Sequence, residues 1–159
     1  MRIWLAAAAL LLLFAGCGGS GGGGGALESP GGGPVDFKAG SLTCPECHME
    51  IKGLQDSAEL IEGKEVTVFD DPGCMVLWME KHGIDPAKAK IYVYTRDTKR
   101  WVPAQKAHYS QTDATPMGYG FGAYEKDANG RIPFERMRLR VLRGLTLKDP
   151  KIRKKLLGY

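Results

Sequence analysis

The stretch Ser57-Ala58-Glu59-Leu60-Ile61-Glu62-Gly63-Lys64-Glu65-Val66-Thr67-Val68-Phe69-Asp70-Asp71-Pro72-Gly73-Cys74-Met75 decides the fold. Two strand-like runs, 57–61 and 65–69, flank the turn-forming Glu62-Gly63-Lys64, which is the pattern of a β-hairpin. Asp71 then offers an N-cap carboxylate, and Pro72 suits the first helical position because its missing N–H is not needed there. The helix is expected to run to about His82 and to stop at Gly83. Met75, Trp78, Met79 and His82 recur at i, i+3, i+4 and i+7, one stripe of a helix.

Downstream the pattern starts again. Ile91-Tyr92-Val93-Tyr94-Thr95 and Trp101-Val102-Pro103-Ala104 flank a polar turn and read as a second hairpin. Ala107-His108-Tyr109-Ser110 reads as a further short strand, and Thr115 to Tyr124 as a Gly-rich turn feeding an aromatic strand. Residues 137–142 fit either a strand or a short basic helix, and 148–157 a terminal helix closed by Gly158. Repeated hairpins with one good helix imply an α+β fold of two small ββα-type modules. The boundaries expected are 37–86 for the first module, 87–145 for a second, β-rich one, and 146–159 for a basic C-terminal tail or helix.

The N-terminal part is of a different kind. Arg2 followed by the apolar run from Ile3 to Ala15 reads as a secretory signal, too short to span a bilayer comfortably. Leu13-Phe14-Ala15-Gly16-Cys17 looks like a bacterial lipobox, with small residues before the cysteine. Lipidation of Cys17 would remove residues 1–16 and anchor the chain by acyl groups rather than by a helix; the alternative is an ordinary signal with a stray thiol. Residues 17–36 are dominated by glycine and are expected to be a flexible tether. Such a coil of about 20 residues reaches roughly 25 Å.

The net charge of +4 hides an asymmetry. Residues 17–130 carry 11 Lys and Arg against 16 Asp and Glu, whereas 131–159 carry 10 against 2. The basic end could meet anionic phospholipid or an acidic partner, or be a solvated surface. Nucleic acid is not an expected partner of an exported chain.

Cys44-Pro45-Glu46-Cys47-His48-Met49 carries the chemistry. Two thiols and a thioether are soft donors and favour Cu(I). The competing readings are a zinc site of Cys44, Cys47, His48 and Cys74, a thioredoxin-like redox pair, and a plain disulfide. Cys74 is either a small buried hydrophobe or a supporting thiol. His82 is accounted for by the helix dipole, and His108 reads as a ligand or a hydrogen-bonded structural histidine. Met117, on the tight Pro116-Met117-Gly118 turn, is as consistent with a functional position as with a core one.

Taken in order, Cys44-x-x-Cys47-x-Met49, Phe69-Asp70-Asp71-Pro72-Gly73-Cys74-Met75, Trp101-Val102-Pro103-Ala104 with Lys106-Ala107-His108-Tyr109, and Thr115-Pro116-Met117-Gly118 resemble the NosL family. These are copper-binding lipoproteins that assist assembly of nitrous oxide reductase. The likeness covers about 44–124. It implies two ββα-type modules similar to part of organomercurial lyase. It also implies a lipid-anchored, non-enzymatic Cu(I) carrier in the bacterial cell envelope, facing the periplasm from the outer membrane in a Gram-negative cell. The implied partner is a copper enzyme client or a copper-delivery membrane complex. The metal set implied is Cys44, Cys47, Met49 and Met117, with His48 and Cys74 as further candidates. His48 stands where the family more often has glycine, and the basic end is not part of the likeness.

Overall fold

The computed structural model describes residues 27–159. The expected signal segment and Cys17 lie outside that range. The fold is α+β, with two antiparallel sheets and three α-helices. No helix among the described residues is long and apolar enough to cross a membrane.

The hairpin forms as the sequence requires. Strands β2 (Ala58–Glu62) and β3 (Glu65–Phe69) pair from Glu62–Glu65 to Ala58–Phe69, and Gly63 supplies the positive φ (65°) of the turn. Helix α1 (Pro72–Lys81) follows, with the Asp71 carboxylate accepting the Gly73 N–H at 2.8 Å. It ends in a reciprocal pair of bonds: Gly83 N–H donates to the Glu80 carbonyl and Ile84 N–H to Met79, with Gly83 at φ 65°.

Strands β4 (Lys90–Tyr94) and β5 (Trp101–Pro103) form the second hairpin. It does not stand as a sheet of its own. β4 pairs antiparallel with β2, and β1 (Leu27–Glu28) with β3, giving one five-stranded sheet in the order β1-β3-β2-β4-β5. The reason is edge satisfaction, because a lone two-stranded hairpin leaves β2 with a row of unpaired backbone groups.

Alternation places Ala58, Leu60, Phe69, Ile91 and Val93 on one face. Helix α1 covers that face, with Trp78 packed on Phe69 (ring centroids 6.1 Å apart). Met75, Val76 and Met79 are buried there, and each contributes about 1.5–3 kcal/mol by leaving water. The other face carries Glu59, Ile61, Val66 and Val68, also buried. It is covered by the segment after β1, and here the expectation of a tether through residue 36 is corrected. From Leu27 on, the chain is docked: Ser29 N–H donates to the Lys64 carbonyl, Val35 N–H to the Glu59 carboxylate at 3.2 Å, and Trp101 Nε1–H to Asp36 at 2.8 Å. Leu27, Val35 and Phe37 provide the apolar surface that a glycine-rich composition conceals.

Glu59 has no exposed surface and its Oε1 has no hydrogen-bond partner. Burial pushes its carboxyl up to about 7. A folded-state value above the unfolded one means that the native chain holds the extra proton. Stability therefore falls as pH rises from about 5 through 7, by on the order of 2–3 kcal/mol. Urea unfolding at pH 5 and pH 8 should show this loss, and Glu59→Gln should abolish most of it.

The smaller sheet has the order β7-β6-β8, from Ala123–Tyr124, His108–Tyr109 and Ile132–Pro133. Helix α2 (Phe134–Leu142) resolves the ambiguous basic stretch, burying Phe134, Met137 and Val141 at helical spacing. Helix α3 (Pro150–Leu157) is capped by Asp149 and closed by Gly158 at φ 82°. One continuous core runs through both sheets.

Candidate metal centre

Residues 42–51 fold back on themselves. Ile51 N–H donates to the Leu42 carbonyl, Cys44 N–H to Met49, and His48 N–H to Cys44, each at 2.9 Å. The loop is tight enough that His48 is driven to φ 61°, a region where a side chain is disfavoured and glycine is at ease. His48 is exposed.

This turn turns Cys44 inward, where it is fully buried, and leaves Cys47 half-buried. Cys74 comes from the first turn of α1 and is also fully buried. Asp70, in the link between β3 and α1, is 3% exposed. One ligand atom from each of Cys44, Cys47, Asp70 and Cys74 lies within 4.8 Å of the others. The three cysteines of this cluster are free thiols. Sulfurs bound to one tetrahedral ion at ~2.3 Å sit ~3.8 Å apart, so this cluster needs only small adjustment to hold a metal.

The protons are distributed unevenly. The hydrogen bond with the Cys74 thiol, helped by backbone N–H groups of Cys47 and Asp70, lowers Cys44 to about 7 against its burial. Burial, with Cys44 and Asp70 close by, pushes Cys47 up to about 12. Its sulfur donates to the Asp70 carboxylate at 3.3 and 3.4 Å. Cys74 is pushed well up by its hydrogen bond to Cys44 and by burial. Cys44 is thus the readiest of the three to give up its proton, and binding of a cation would displace the protons of the others.

Asp71 ties a distant loop to this corner. Besides capping α1, its carboxylate accepts the Met117 N–H at 3.2 Å. Burial raises it to about 6, while Thr115, Gly73 and Met117 hydrogen-bond to its charged form. Gly118 N–H closes the Thr115–Gly118 turn on the Thr115 carbonyl at 2.9 Å, with Gly118 at φ 69°. Arg96 holds the same loop from the other side, with both arms on Asp56 at 2.7 Å and one on the Ala114 carbonyl at 2.6 Å.

Met117 is half-buried against the core. Met49 is 41% exposed and lines a cleft of about 340 Å³ together with Ile51, Asp70 and Pro116. The cleft therefore opens beside the thiol cluster. His108 is elsewhere, 3.4 Å from Asp127, and His82 stacks on Trp78 at the end of α1.

Of the residues singled out in the sequence, the structure gathers Cys44, Cys47 and Cys74, and leaves His48 outside the four-residue cluster. Asp70 escaped notice because Asp-Asp-Pro reads as a helix start. A single N-cap uses one carboxylate, so the second acidic residue before Pro72 was the available signal.

The fold and the site together define an α+β domain with a sulfur-rich group of side chains able to hold a metal ion. No protein-family model matches the chain, and no curated protein matches it by sequence.

Proposed function

We propose that this protein is a Cu(I) carrier of the bacterial cell envelope, anchored through Cys17 and delivering copper to a copper enzyme, as its resemblance to the NosL family suggests. The observation that carries the reading is the convergence of three free thiols from two separate elements, beside a cleft bordered by an exposed thioether. Soft sulfur donors suit Cu(I) over harder ions. The half-buried Cys47 and exposed Met49 give the ion a side from which a partner's Cys, Met or His can take it by ligand exchange. Met117, held on the Asp71 carboxylate, is the candidate second thioether. A dithiol reductant fits less well, because its attacking sulfur must be both accessible and readily deprotonated, whereas Cys44 is fully buried and the accessible Cys47 is pushed up to about 12.

The second reading is a zinc-stapled module. It is favoured by Asp70, an oxygen donor that completes a closed four-ligand set and suits zinc better than Cu(I).

Anaerobic chelator competition on the reduced protein lacking residues 1–17 tests the proposal. We expect about one Cu(I) per chain, with affinity reduced at least tenfold in Met49→Ala/Met117→Ala. Absence of stoichiometric Cu(I) binding, or a double variant identical to the parent, would overturn the Cu(I)–thioether reading. Co-purification of zinc with unfolding on chelation would favour the staple.

A further inference from the structure

A second candidate site lies on the far side of α2 and is built from arginine. Arg136, Arg140 and Arg143 recur at i, i+4 and i+7, one stripe of the helix, with Leu139 between them. Together with Gln111, Ile132 and Leu145 they line a cavity of about 420 Å³. Like charges at this spacing repel one another weakly, and an anion between them would relieve that repulsion.

The chain supplies no such anion among the described residues. The basic segment 131–159 has two acidic side chains, and both are engaged. Glu135 pairs with Arg138 at 3.0 Å, and Asp149 accepts the Lys151 and Ile152 N–H groups as the cap of α3. None of the three cavity arginines forms an ion pair within the described residues.

Arg140 is the telling member. Its Nε is buried and has no hydrogen-bond acceptor. The negative end of the α2 dipole explains cations in the last turn, but not a guanidinium N–H withdrawn from water and left unpaired. The helix end is also fixed. Leu145 N–H donates to the Arg140 carbonyl at 2.8 Å and Gly144 N–H to Val141 at 3.0 Å, with Gly144 at φ 69°. That closure seats Leu145 at the cavity and orders the backbone that carries Arg140 and Arg143.

We infer that this cavity binds a phosphate group. A forked guanidinium offers paired N–H donors that match phosphate oxygens, and three of them around one cavity neutralise its charge. A phospholipid headgroup and a small soluble phosphate present the same chemistry, and the test separates them.

The full-length, ¹⁵N-labelled chain in uncharged detergent is titrated with inorganic phosphate and with glycerol 3-phosphate while the arginine Nε–H resonances are followed. Its sedimentation with phosphatidylcholine vesicles, with and without 30% phosphatidylglycerol, is measured in parallel. The expected result is a saturable shift of the Arg140 Nε–H resonance. Arg140→Gln/Arg143→Gln should weaken binding at least tenfold, and the exposed Arg136→Gln, which leaves the buried packing alone, about threefold. Lys151→Gln/Lys154→Gln on α3 removes the same charge as the first pair and should weaken it less than twofold. Saturation by the soluble phosphates identifies a free anion. Vesicle binding that requires phosphatidylglycerol and is competed by glycerol 3-phosphate identifies a headgroup. Loss of equal size in the two double variants, or no shift with either soluble phosphate together with no phosphatidylglycerol-dependent sedimentation, overturns the site.

Discussion

Cys47→Ser is expected to weaken metal binding by about two to three orders of magnitude while leaving the fold intact. Four-ligand thiolate-rich sites bind with about 10–16 kcal/mol, so one ligand accounts for roughly 3–4 kcal/mol, or about 10²–10³-fold. Cys47 is the cleanest choice of the three thiols. It is half-buried, whereas Cys44 and Cys74 are fully buried and also belong to the apolar core. Serine at either of those positions would put a hydroxyl into that core and mix a folding defect with a binding defect.

Asp70→Asn, measured alongside, separates the two metals. If the resident ion is zinc, Asp70 is a ligand and its loss costs on the order of a hundredfold. If the ion is Cu(I), the thiols carry the affinity and the loss stays under about tenfold. Competition with chromophoric chelators, under reducing anaerobic conditions, reads both variants. A Cys47→Ser protein with parental affinity for both metals would remove the cluster from consideration as a metal centre.

Gly73→Ala is expected to lower stability markedly although it adds a single methyl group. A Cβ at position 73 would lie 2.3 Å from Cδ2 of Tyr119 and 2.8 Å from Cγ and Cε2. Such overlap has to be relieved by moving the ring or the helix start, which costs about 1–3 kcal/mol. The effect is net of the intrinsic preference of a helix for alanine over glycine, about 1 kcal/mol in the opposite direction. For a domain of this size, a Tm lowered by roughly 4–12 °C follows.

The cause is checked with Gly73→Ala/Tyr119→Ala. With the ring removed, alanine at 73 should be neutral or stabilising relative to Tyr119→Ala alone, a coupling that a double-mutant cycle measures directly. Gly73 immediately precedes Cys74, so the same substitution displaces a thiol of the cluster and should lower metal affinity as well. An unchanged melting temperature would mean that Tyr119 does not rest on the start of α1.

These two sites differ in how openly the chain announces them. The hairpin β2–β3 and helix α1 were legible because their signals are local. Gly63 between two strand-like runs, Asp71 before Pro72, and Gly83 after an apolar stripe each act within a few residues of themselves. The Cys44–Met49 loop was legible for the same reason. Even His48 has a local meaning, since its φ of 61° is the conformation that glycine would adopt without strain. Residues 137–142 were ambiguous because Leu139 breaks the helical pattern. It lies on the exposed side of α2, 40% accessible, where nothing in the core selects it.

What the sequence by itself determined is therefore the set of local elements and the soft-donor chemistry of Cys44, Cys47 and Met49. Backbone preference and side-chain type act at short range and need no partner to be read. Only the tertiary structure decided that β4 joins β2, that the glycine-rich segment from Leu27 closes the open face of the sheet, and that Asp70 and Cys74 complete the cluster. Each of these depends on groups far apart in the chain meeting to satisfy a sheet edge, an apolar face or a buried charge, and no short window of residues records where that meeting takes place.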